Sequence, residues 1–340
     1  MLYKKAWIAI ALFMASATTA FGSELFEEWV SKHNKKYPTL QEFEHRRQVF
    51  MSNLKLIKKL NLESTSATFA PNKFADLTPE EFSEMYLRPV SRQERDDLFS
   101  RSPVAHPTRT YNDLPDDFNW VDHGAVASVK DQRSCGSCWA FGATGNMEGQ
   151  WYLYGTDRSK EIVSFSPQNL VDCDHECMYF PSTNATECDM GCDGGMEPNA
   201  FQYVIKNGGI MSYEDYPYTG VTGKTCKYNK TQSVAKFSSW TYVECDEDTL
   251  MEQLYKRGPL SIGVYASTWS FYYDGVYTSY CGTENNHAVL LTGWGVAEDG
   301  TKYWIIKNSW GTGWGKGGYI WLQRGVNKCG LLEMVSTIIV

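Results

Sequence analysis

A cysteine at the junction of a loop and an apolar helix is the strongest sign of chemistry in this 340-residue chain. Cys138 follows Gln132 in the segment QRSCGSCWAF, and apolar residues continue behind it. A thiol attacks well only as the thiolate, which is favoured by the dipole and free amides of a helix N-terminus and by a cationic histidine nearby. Cys138 therefore has the local setting of a nucleophile.

His287 has the best setting among the six histidines to assist that thiol. It precedes an apolar run, residues 288–292, which indicates a buried strand that leads to a glycine turn. Asn308 follows in KNSWGTGWG, where its side chain can accept a hydrogen bond from the imidazole and fix the tautomer. Trp310 and Trp314 can shield that bond from water. The residues predict nucleophilic catalysis by cysteine, histidine and asparagine.

These motifs together resemble the papain-like cysteine proteases, in which a cysteine in CGSCW precedes a distant histidine and asparagine. The resemblance implies that Cys138 attacks a peptide carbonyl to form an acyl-enzyme. His287 would protonate the leaving amine and later activate water, and Asn308 would hold the ring. Gln132 would donate its side-chain amide to the oxyanion. Neither a cofactor nor a metal ion is implied.

The resemblance also implies a pocket for the substrate side chain two residues before the cut. Its walls would be Met196, Glu197, Gly263, Asn285 and Met334. Met334 at the base and the small Gly263 favour an apolar guest such as leucine. Glu197 and Asn285 leave a mixed or basic tolerance open.

Two glycines in GCDGG, Gly194 and Gly195, are expected to let a substrate backbone lie close and pair as an added strand. Trp310 is expected to border the same cleft. The extra loop of residues 174–191 precedes GCDGG and does not resemble the histidine-bearing occluding loop of the carboxydipeptidase relatives. An endopeptidase is therefore expected.

The ten cysteines are expected to be mostly paired. By resemblance, the pairs are Cys135 with Cys192, Cys173 with Cys226, and Cys281 with Cys329. We expect a further bond between Cys177 and Cys188, which flank the extra loop, and this leaves Cys245 as an unpaired thiol. Asn184 and Asn229 begin N-x-T sequons and are candidate glycan acceptors.

An N-terminal region resembles the inhibitory proregion of cathepsin L-like zymogens. Residues 24–62 have helical periodicity, and one helix face carries the interrupted motif of six residues: Glu42, Arg46, Phe50, Asn53, Ile57 and Asn61. A second motif contains Asn72, Phe74 and Asp76. Residues 90–113 lose the periodicity and are expected to form an exposed linker. Cleavage is expected near Leu114.

Residues 1–22 are interpreted as a secretory signal peptide, because two lysines precede an apolar stretch too short to span a bilayer. A net charge of −8 excludes the basic patch that nucleic-acid binding needs. We expect no membrane insertion, delivery to the lysosome, vacuole or exterior, and a monomer. The expected partners are protein and peptide substrates, the chain's own propeptide, and cystatin-type inhibitors.

The predicted fold class is α+β, a papain-like two-lobe fold with a helical left lobe, a β-barrel-like right lobe and a helical N-terminal prodomain. Residues 1–22, 23–113 and 114–340 would be the signal peptide, the inhibitory propeptide and the peptidase domain. The helical lobe would extend to about residue 220. The later strands are expected over four ranges: 260–265, 288–292, 303–307 and 319–322.

Three other interpretations compete with a protease. Cys135 and Cys138 form a CxxC pair of the kind that thiol oxidoreductases use, but no thioredoxin-like βαβ pattern surrounds it. A zinc site is disfavoured because the histidines lack ligand spacing with the cysteines. A catalytically silent relative is disfavoured because all four predicted catalytic residues are present.

Overall fold

The computed structural model describes residues 22–110, 113–156, 161–181 and 184–340. The predicted signal peptide, apart from its last residue, lies outside the described residues. The helices are α1 (22–32), α2 (Leu40–Glu63), α3 (Pro79–Tyr86), α4 (Arg92–Arg101), α5 (Cys138–Tyr154), α6 (Pro167–Cys173), α7 (Glu197–Asn207) and α8 (Glu247–Arg257). None of these helices has the length and apolar content needed to cross a membrane.

In the N-terminal region (residues 22–110), the two helices α1 and α2 lie where the sequence predicts a single helical segment, residues 24–62. Residues 33–39 interrupt it, because Asn34 adopts a left-handed conformation with φ of 51° and Pro38 disfavours helix before it. Thr39 then caps α2 by accepting a hydrogen bond from the amide of Glu42.

The predicted motif lies on the face that α2 buries. Phe50, Asn53 and Ile57 are buried there. The Asn53 amide donates to the carbonyls of Ala75 and Leu77 at 2.9 Å each. The polar positions of the first motif thus hold the backbone around the second motif, which explains why an amphipathic helix carries buried asparagine at these positions.

The prediction of an exposed linker over residues 90–113 is wrong for the first half of that range. Ser91 and Glu94 form a capping box at the start of α4, and Leu98 on that helix is fully buried. The spacing of Ser91 and Glu94 was a readable signal for this helix, although the segment is otherwise polar. The region near the expected cleavage site includes residues 111–112, which lie outside the described residues.

The strands are β1 (Thr68–Phe69), β2 (Val104–Ala105), β3 (Phe118–Asn119), β4 (Cys177–Phe180), β5 (Ala185–Cys188), β6 (Ile210–Met211), β7 (Ser233–Ala235), β8 (Ser239–Val243), β9 (Leu260–Val264), β10 (Tyr272–Asp274), β11 (Val276–Tyr277), β12 (His287–Val296), β13 (Lys302–Lys307), β14 (Tyr319–Gln323) and β15 (Val335–Ile339). The four predicted strands correspond to β9, β12, β13 and β14 and are confirmed.

One large sheet follows the order β11-β14-β13-β12-β9-β15-β8-β2, with β3 also paired to β12. Most neighbours are antiparallel, but β2 from the N-terminal region joins β8 in parallel. Over the described strands this path does not close, so the right lobe is an open, strongly connected sheet rather than a closed barrel. The α+β fold class with a helical N-terminal domain is confirmed.

Two hydrophobic cores match the two lobes. One contains the large aromatic residues of the sheet, including Trp269 and Trp294, and the other surrounds α5, α6 and α7. Tyr242 and Ile338 pack in the helical core although they lie far beyond residue 220. The N-terminal region contributes to both cores, with Phe26 in the first and Leu98 in the second.

Helix α5 lies between the lobes, and its residues are buried from Cys138 to Gln150. Its glycines allow strands to approach: a Cβ on Gly145 would lie 3.1 Å from Leu290, and one on Gly149 would lie 2.8 Å from Pro259. Glycine inside a helix costs about 1 kcal/mol relative to alanine. Burial on several sides therefore holds this helix, as its composition requires.

Four disulfides are present, and they join the cysteine pairs expected above: Cys135–Cys192, Cys173–Cys226, Cys177–Cys188 and Cys281–Cys329. Cys138 and Cys245 are free thiols. Because Cys135 forms its disulfide with Cys192 and Cys138 is free, the two do not form a redox CxxC pair in this structure. Among the described residues, no group of histidine, cysteine, aspartate and glutamate side chains is arranged to hold a metal ion.

Candidate active site

Cys138 is the first residue of α5, and no side chain caps this helix. The hydroxyl of Ser137, at the N-cap position, is instead within 2.7 Å of the Tyr218 hydroxyl. The first amides of the helix are therefore open to an anion beside the thiol. Hydrogen bonds from the backbone amides of Ala288 and Trp139 act to lower the pKa of the Cys138 thiol.

His287 begins β12, and its Nε2 lies 2.7 Å from Oδ1 of Asn308. The indole of Trp310 stacks on the imidazole with ring centroids 4.7 Å apart, and Trp310 is completely buried. Within the described chain, Nδ1 of His287 has no hydrogen-bond partner. Cys138, His287 and Ala288 line the same cavity, so the structure brings thiol and imidazole to one place.

Both groups favour their neutral forms in this closed structure. Burial raises the pKa of the Cys138 thiol to about 11, against the smaller effect of the backbone amides. Burial likewise lowers the pKa of His287 to about 4, although the Asn308 bond acts in the opposite direction. The charged thiolate and imidazolium expected from the sequence are thus disfavoured here, because desolvation outweighs the helix terminus and the asparagine.

Gln132 is fully buried beside these groups. Its Nε2 donates to the carbonyl of Cys135 at 3.0 Å and to that of Tyr86 at 3.4 Å. Its Oε1 accepts a 2.6 Å bond from the hydroxyl of Ser309. One amide proton is therefore aimed at a peptide oxygen from the N-terminal region, the kind of atom that an oxyanion donor must reach.

Ser309 is a site residue that the sequence reasoning missed. It orients Gln132 through its hydroxyl, and its backbone amide donates to Oδ1 of Asn308 at 2.7 Å. Its position directly after Asn308 in KNSWG was the available signal, but nothing in that order shows that its side chain reaches back across the cleft.

The five residues expected to wall the specificity pocket all line one cavity, together with Gly195 and Cys138. A Cβ on Gly263 would lie 2.5 Å from the Asn285 amide and 3.0 Å from Met334, so only glycine leaves this wall open. Glu197 accepts a 3.2 Å bond from the Ser261 hydroxyl, and burial raises the pKa of its carboxyl. Burial therefore reduces the negative charge that Glu197 gives the pocket.

The N-terminal region lies in this cleft. The amides of Arg88 and Val90 donate to the carbonyls of Asn286 and Asn285, each at 2.7 Å. Arg88 and Val90 also line the pocket, while the Tyr86 carbonyl faces Gln132. The segment from residue 86 to residue 90 therefore occupies the space in which a substrate would have to bind.

Trp310 connects this segment to the imidazole. On one side it stacks on His287, and on the other its ring meets three aromatic side chains of the N-terminal region at centroid distances of 5.2 to 6.4 Å: Phe74, Phe82 and Tyr86. The N-terminal region thus covers the pocket, Gln132 and Trp310.

Two family models match this chain, the papain family cysteine protease over residues 114–339 and the cathepsin propeptide inhibitor domain over residues 26–82. The chain belongs to the papain family of cysteine proteases. The expected resemblance is thereby confirmed, and the N-terminal region contains a family propeptide.

Known members of this papain family align along most of the chain. Cysteine proteinase 1 of Dictyostelium discoideum is 41% identical over 97% of this chain and 99% of its own length. Cysteine proteinase 15A of Pisum sativum is 40% identical over 92% and 85%. The structure of digestive procathepsin L2 from Tenebrio molitor has a TM-score of 0.80 at 33% identity, covering 94% of this chain and all of that one.

Two strand pairings also attach the propeptide of this cysteine protease to the enzyme domain. Strand β1 pairs with β10, and β2 pairs with β8. Among the described residues, four ion pairs cross from the propeptide to the enzyme domain, and in each the basic side chain belongs to the propeptide: Lys73–Asp131, Arg88–Glu187, Arg95–Glu333 and Arg109–Asp248. His106 lies 3.4 Å from Glu244 and forms an ion pair with it only when the imidazole is protonated. The carboxylates are all on the enzyme domain.

Both predicted glycan acceptors of the protease are exposed. Asn184 lies in the turn of the β4–β5 hairpin with φ of 52°, and Asn229 precedes a short 3-10 helix whose Thr231 amide it caps. Glycosylation of either one stays a prediction.

Proposed function

We propose that this papain-family protease is made as a zymogen of a cysteine endopeptidase that acts in the lysosome, vacuole or extracellular space. The observation that carries the proposal is the 2.7 Å bond between His287 and Asn308 beneath Trp310, beside a free thiol at the start of a helix. The remaining steps assign a role to each group.

Cys138 would be the nucleophile and His287 the proton carrier. Nδ1 of the neutral imidazole takes the thiol proton, and the sulfur attacks the peptide carbonyl to form a tetrahedral intermediate. The imidazolium then protonates the departing amine, and the C–N bond breaks to leave a thioester. Water gives a proton to His287 as its oxygen attacks the thioester, and the proton returns to the sulfur when the acid leaves.

Gln132 and Asn308 would support these steps. The Gln132 amide, now directed at the Tyr86 carbonyl, would donate to the oxyanion of the intermediate, with the backbone amide of Cys138 as the second donor. Asn308 keeps the ring oriented, and Trp310 keeps water from competing for the His287–Asn308 bond.

The propeptide would inhibit by occupying the cleft, and acid would release it. Within the propeptide, Arg46 binds Glu42 and Glu81 at 2.6 Å each, and Asp76 binds Lys35 and Tyr37. Protonation of carboxylates removes the attraction to these cations and to those of the four lysine and arginine ion pairs that cross to the enzyme domain. Because the carboxylates of these four pairs belong to the enzyme domain and their partners are lysine or arginine, acidification would weaken all four in the same direction.

The specificity pocket supports a preference for an apolar side chain two residues before the cut. Met196 and Met334 are buried and apolar, Gly263 leaves the wall open, and burial raises the pKa of the Glu197 carboxyl. Gly194 and Gly195 border the path of the substrate backbone. The hairpin of β4 and β5 lies before GCDGG and carries no histidine between Cys177 and Cys188, which supports internal cleavage.

The remaining assignments follow from the family resemblance and the sequence. Residues 1–22 would direct export, cleavage near Leu114 would yield a mature enzyme of residues 114–340, and cystatin-type inhibitors would bind its open cleft. The mature enzyme would be a monomer that needs no cofactor.

The test uses the full-length precursor, acidified and followed by gel, N-terminal sequencing and cleavage of a leucine-containing peptide panel. We expect a new N-terminus near Leu114, activity, and labelling of Cys138 by a thiol-specific active-site inhibitor. Cys138→Ser should abolish cleavage, while Cys245→Ser should leave it unchanged. Peptide cleavage that survives in the Cys138→Ser precursor would refute the proposal.

A further inference from the structure

Glu187 is an acidic side chain on the β4–β5 hairpin, outside the catalytic groups and the five pocket walls. We propose that in the mature enzyme Glu187 selects substrates with a basic side chain next to the residue that fills the specificity pocket, at the first or the third position before the cut. This inference rests on the proposed function, because it assigns a further subsite of the same cleft.

The hairpin holds Glu187 in a fixed place. The Cys177–Cys188 bond closes it one residue away, and Glu187 lies opposite Met178 in the strand register. Asp189, two residues further on, accepts hydrogen bonds from the amide of Met196 at 2.8 Å and the side chain of Asn199 at 3.1 Å. The hairpin is thereby attached to the wall of the specificity pocket, so the Glu187 carboxylate keeps a defined position beside it.

A basic side chain already occupies this position in the precursor. Nη2 of Arg88 lies 2.7 Å from Oε2 of Glu187, and the two side chains are 19% and 30% exposed. The Arg88 stem passes over Gly194, where a Cβ would lie 2.4 Å from the Arg88 Cδ atom. The missing side chain of Gly194 thus leaves a channel that ends at a carboxylate.

The channel lies next to the specificity pocket. The amide of Arg88 binds the carbonyl of Asn286, and that of Val90 binds Asn285, a wall of the pocket. An extended peptide that fills the pocket with one residue therefore presents a neighbouring side chain over Gly194. When the propeptide leaves, Glu187 loses the guanidinium of Arg88, and a substrate lysine or arginine can take its place.

One terminal nitrogen is enough for this contact. Arg88 binds Glu187 through Nη2, while its Nη1 is buried and has no hydrogen-bond partner within the described residues. The subsite therefore recognises positive charge rather than the two-pronged guanidinium geometry, and lysine should be accepted as well as arginine.

The test compares active-site-titrated mature enzymes, prepared by acid processing, on peptides with leucine two residues before the cut. In one series the third residue is arginine, lysine, glutamine or glutamate, and in a second series the first residue is varied in the same way; the series with the charge preference identifies the position. We expect the wild type to cleave the arginine and lysine peptides with kcat/KM about three to five times that of the glutamine peptide, the range of a partly exposed ion pair. Glu187→Gln should remove the difference, and Glu187→Lys should favour the glutamate peptide instead.

Glu176→Gln is the matched control, because Glu176 precedes the same hairpin but binds Lys206 on α7 at 2.5 Å. It should retain the wild-type preference, and all four enzymes should cleave the glutamine peptide equally. An unchanged arginine-to-glutamine ratio in Glu187→Gln, or an equal loss in Glu176→Gln, would overturn the subsite alone. Failure of every enzyme to cleave any peptide would overturn the proposed function and the subsite with it.

Discussion

His287 Nε2 and Asn308 Oδ1 lie 2.7 Å apart, and Oδ1 also accepts the backbone amide of Ser309 at 2.7 Å. Because a carbonyl oxygen only accepts, Nε2 must carry the proton of the neutral ring. The lone pair of the imidazole is then on Nδ1, which has no other partner among the described residues. This tautomer is the one that the proposed mechanism needs, since it leaves Nδ1 free to take a proton from Cys138.

Replacing Asn308 should damage catalysis more than stability. In Asn308→Ala the ring loses the bond that selects its tautomer and supports the imidazolium, an interaction of about 1.5 to 3 kcal/mol. We expect kcat/KM to fall by about tenfold to a hundredfold, measured on mature enzyme at its optimal pH. Asn308→Asp should restore the orientation and shift the basic limb of the pH profile upward, since a carboxylate stabilises the imidazolium. An unaltered pH profile in Asn308→Asp would contradict this role.

Gln132→Glu removes the hydrogen-bond donor of this side chain and keeps its shape. Oε1 can still accept the Ser309 hydroxyl, but the amide proton directed at Tyr86 is lost. We expect kcat to fall by about 10²- to 10³-fold, the usual cost of one oxyanion donor, with little change in KM. Ser309→Ala serves as the comparison, because it loosens the Gln132 side chain without removing its donor. A Gln132→Glu enzyme with wild-type kcat would exclude the oxyanion role.

The reactivity of Cys138 should report whether the propeptide is in place. Burial raises the pKa of the thiol to about 11 in the precursor, so the thiolate fraction falls tenfold for each pH unit below that value. Iodoacetamide should modify the precursor slowly at pH 7 and faster as the pH rises toward 11, with mass spectrometry locating the label on Cys138. Acid-processed enzyme should react at least a hundredfold faster at pH 7. Equal rates before and after processing would count against closure by burial.

The pair of Arg46 and Glu81 should contribute to the pH at which the precursor processes. The Arg46 guanidinium lowers the pKa of the Glu81 carboxyl below its ordinary 4.5. A lowered pKa means that the pair stabilises the folded propeptide above pH 4.5 and that this stabilisation is lost as the pH falls through the lower, folded value.

Glu81→Gln should therefore process at a higher pH than the wild type, because the stabilisation is absent at every pH. The half-time of processing between pH 4 and pH 7 measures the effect. Glu84→Gln changes an exposed glutamate on the same helix and should behave as the wild type. If both substitutions gave the wild-type pH dependence, Arg46 and Glu81 would have no part in acid release.

Docking of α4 should be necessary for a stable precursor. Leu98 is fully buried in the helical core of the enzyme domain, so Leu98→Ala should cost about 2 to 5 kcal/mol of propeptide binding and folding. We expect faster processing at neutral pH and greater sensitivity to added protease. Gln93→Ala, an exposed change on the same helix, is the control. A Leu98→Ala precursor as resistant as the wild type would mean that α4 does not restrain the propeptide.

The catalytic residues could be predicted because each sits in a short, distinctive context. Cys138 precedes an apolar helix, His287 begins an apolar strand, and Asn308 lies between a lysine and a tryptophan-rich turn. The interrupted motif on α2 was equally readable, since its residues share one helix face. By contrast, α4 was missed because its sequence is mostly polar, and only Leu98, Phe99 and the capping box indicate where it docks.

The one-dimensional order of residues was sufficient to determine the family and the helical face of the propeptide and to predict four reactive groups, because these depend on local spacing. Tertiary structure alone decided that Ser309 holds Gln132, that Arg88 meets Glu187 over Gly194, and that burial raises the pKa of the precursor's thiol and lowers that of its imidazole. Such contacts join residues far apart in the chain. Desolvation, moreover, depends on everything packed around a group, which local sequence does not specify.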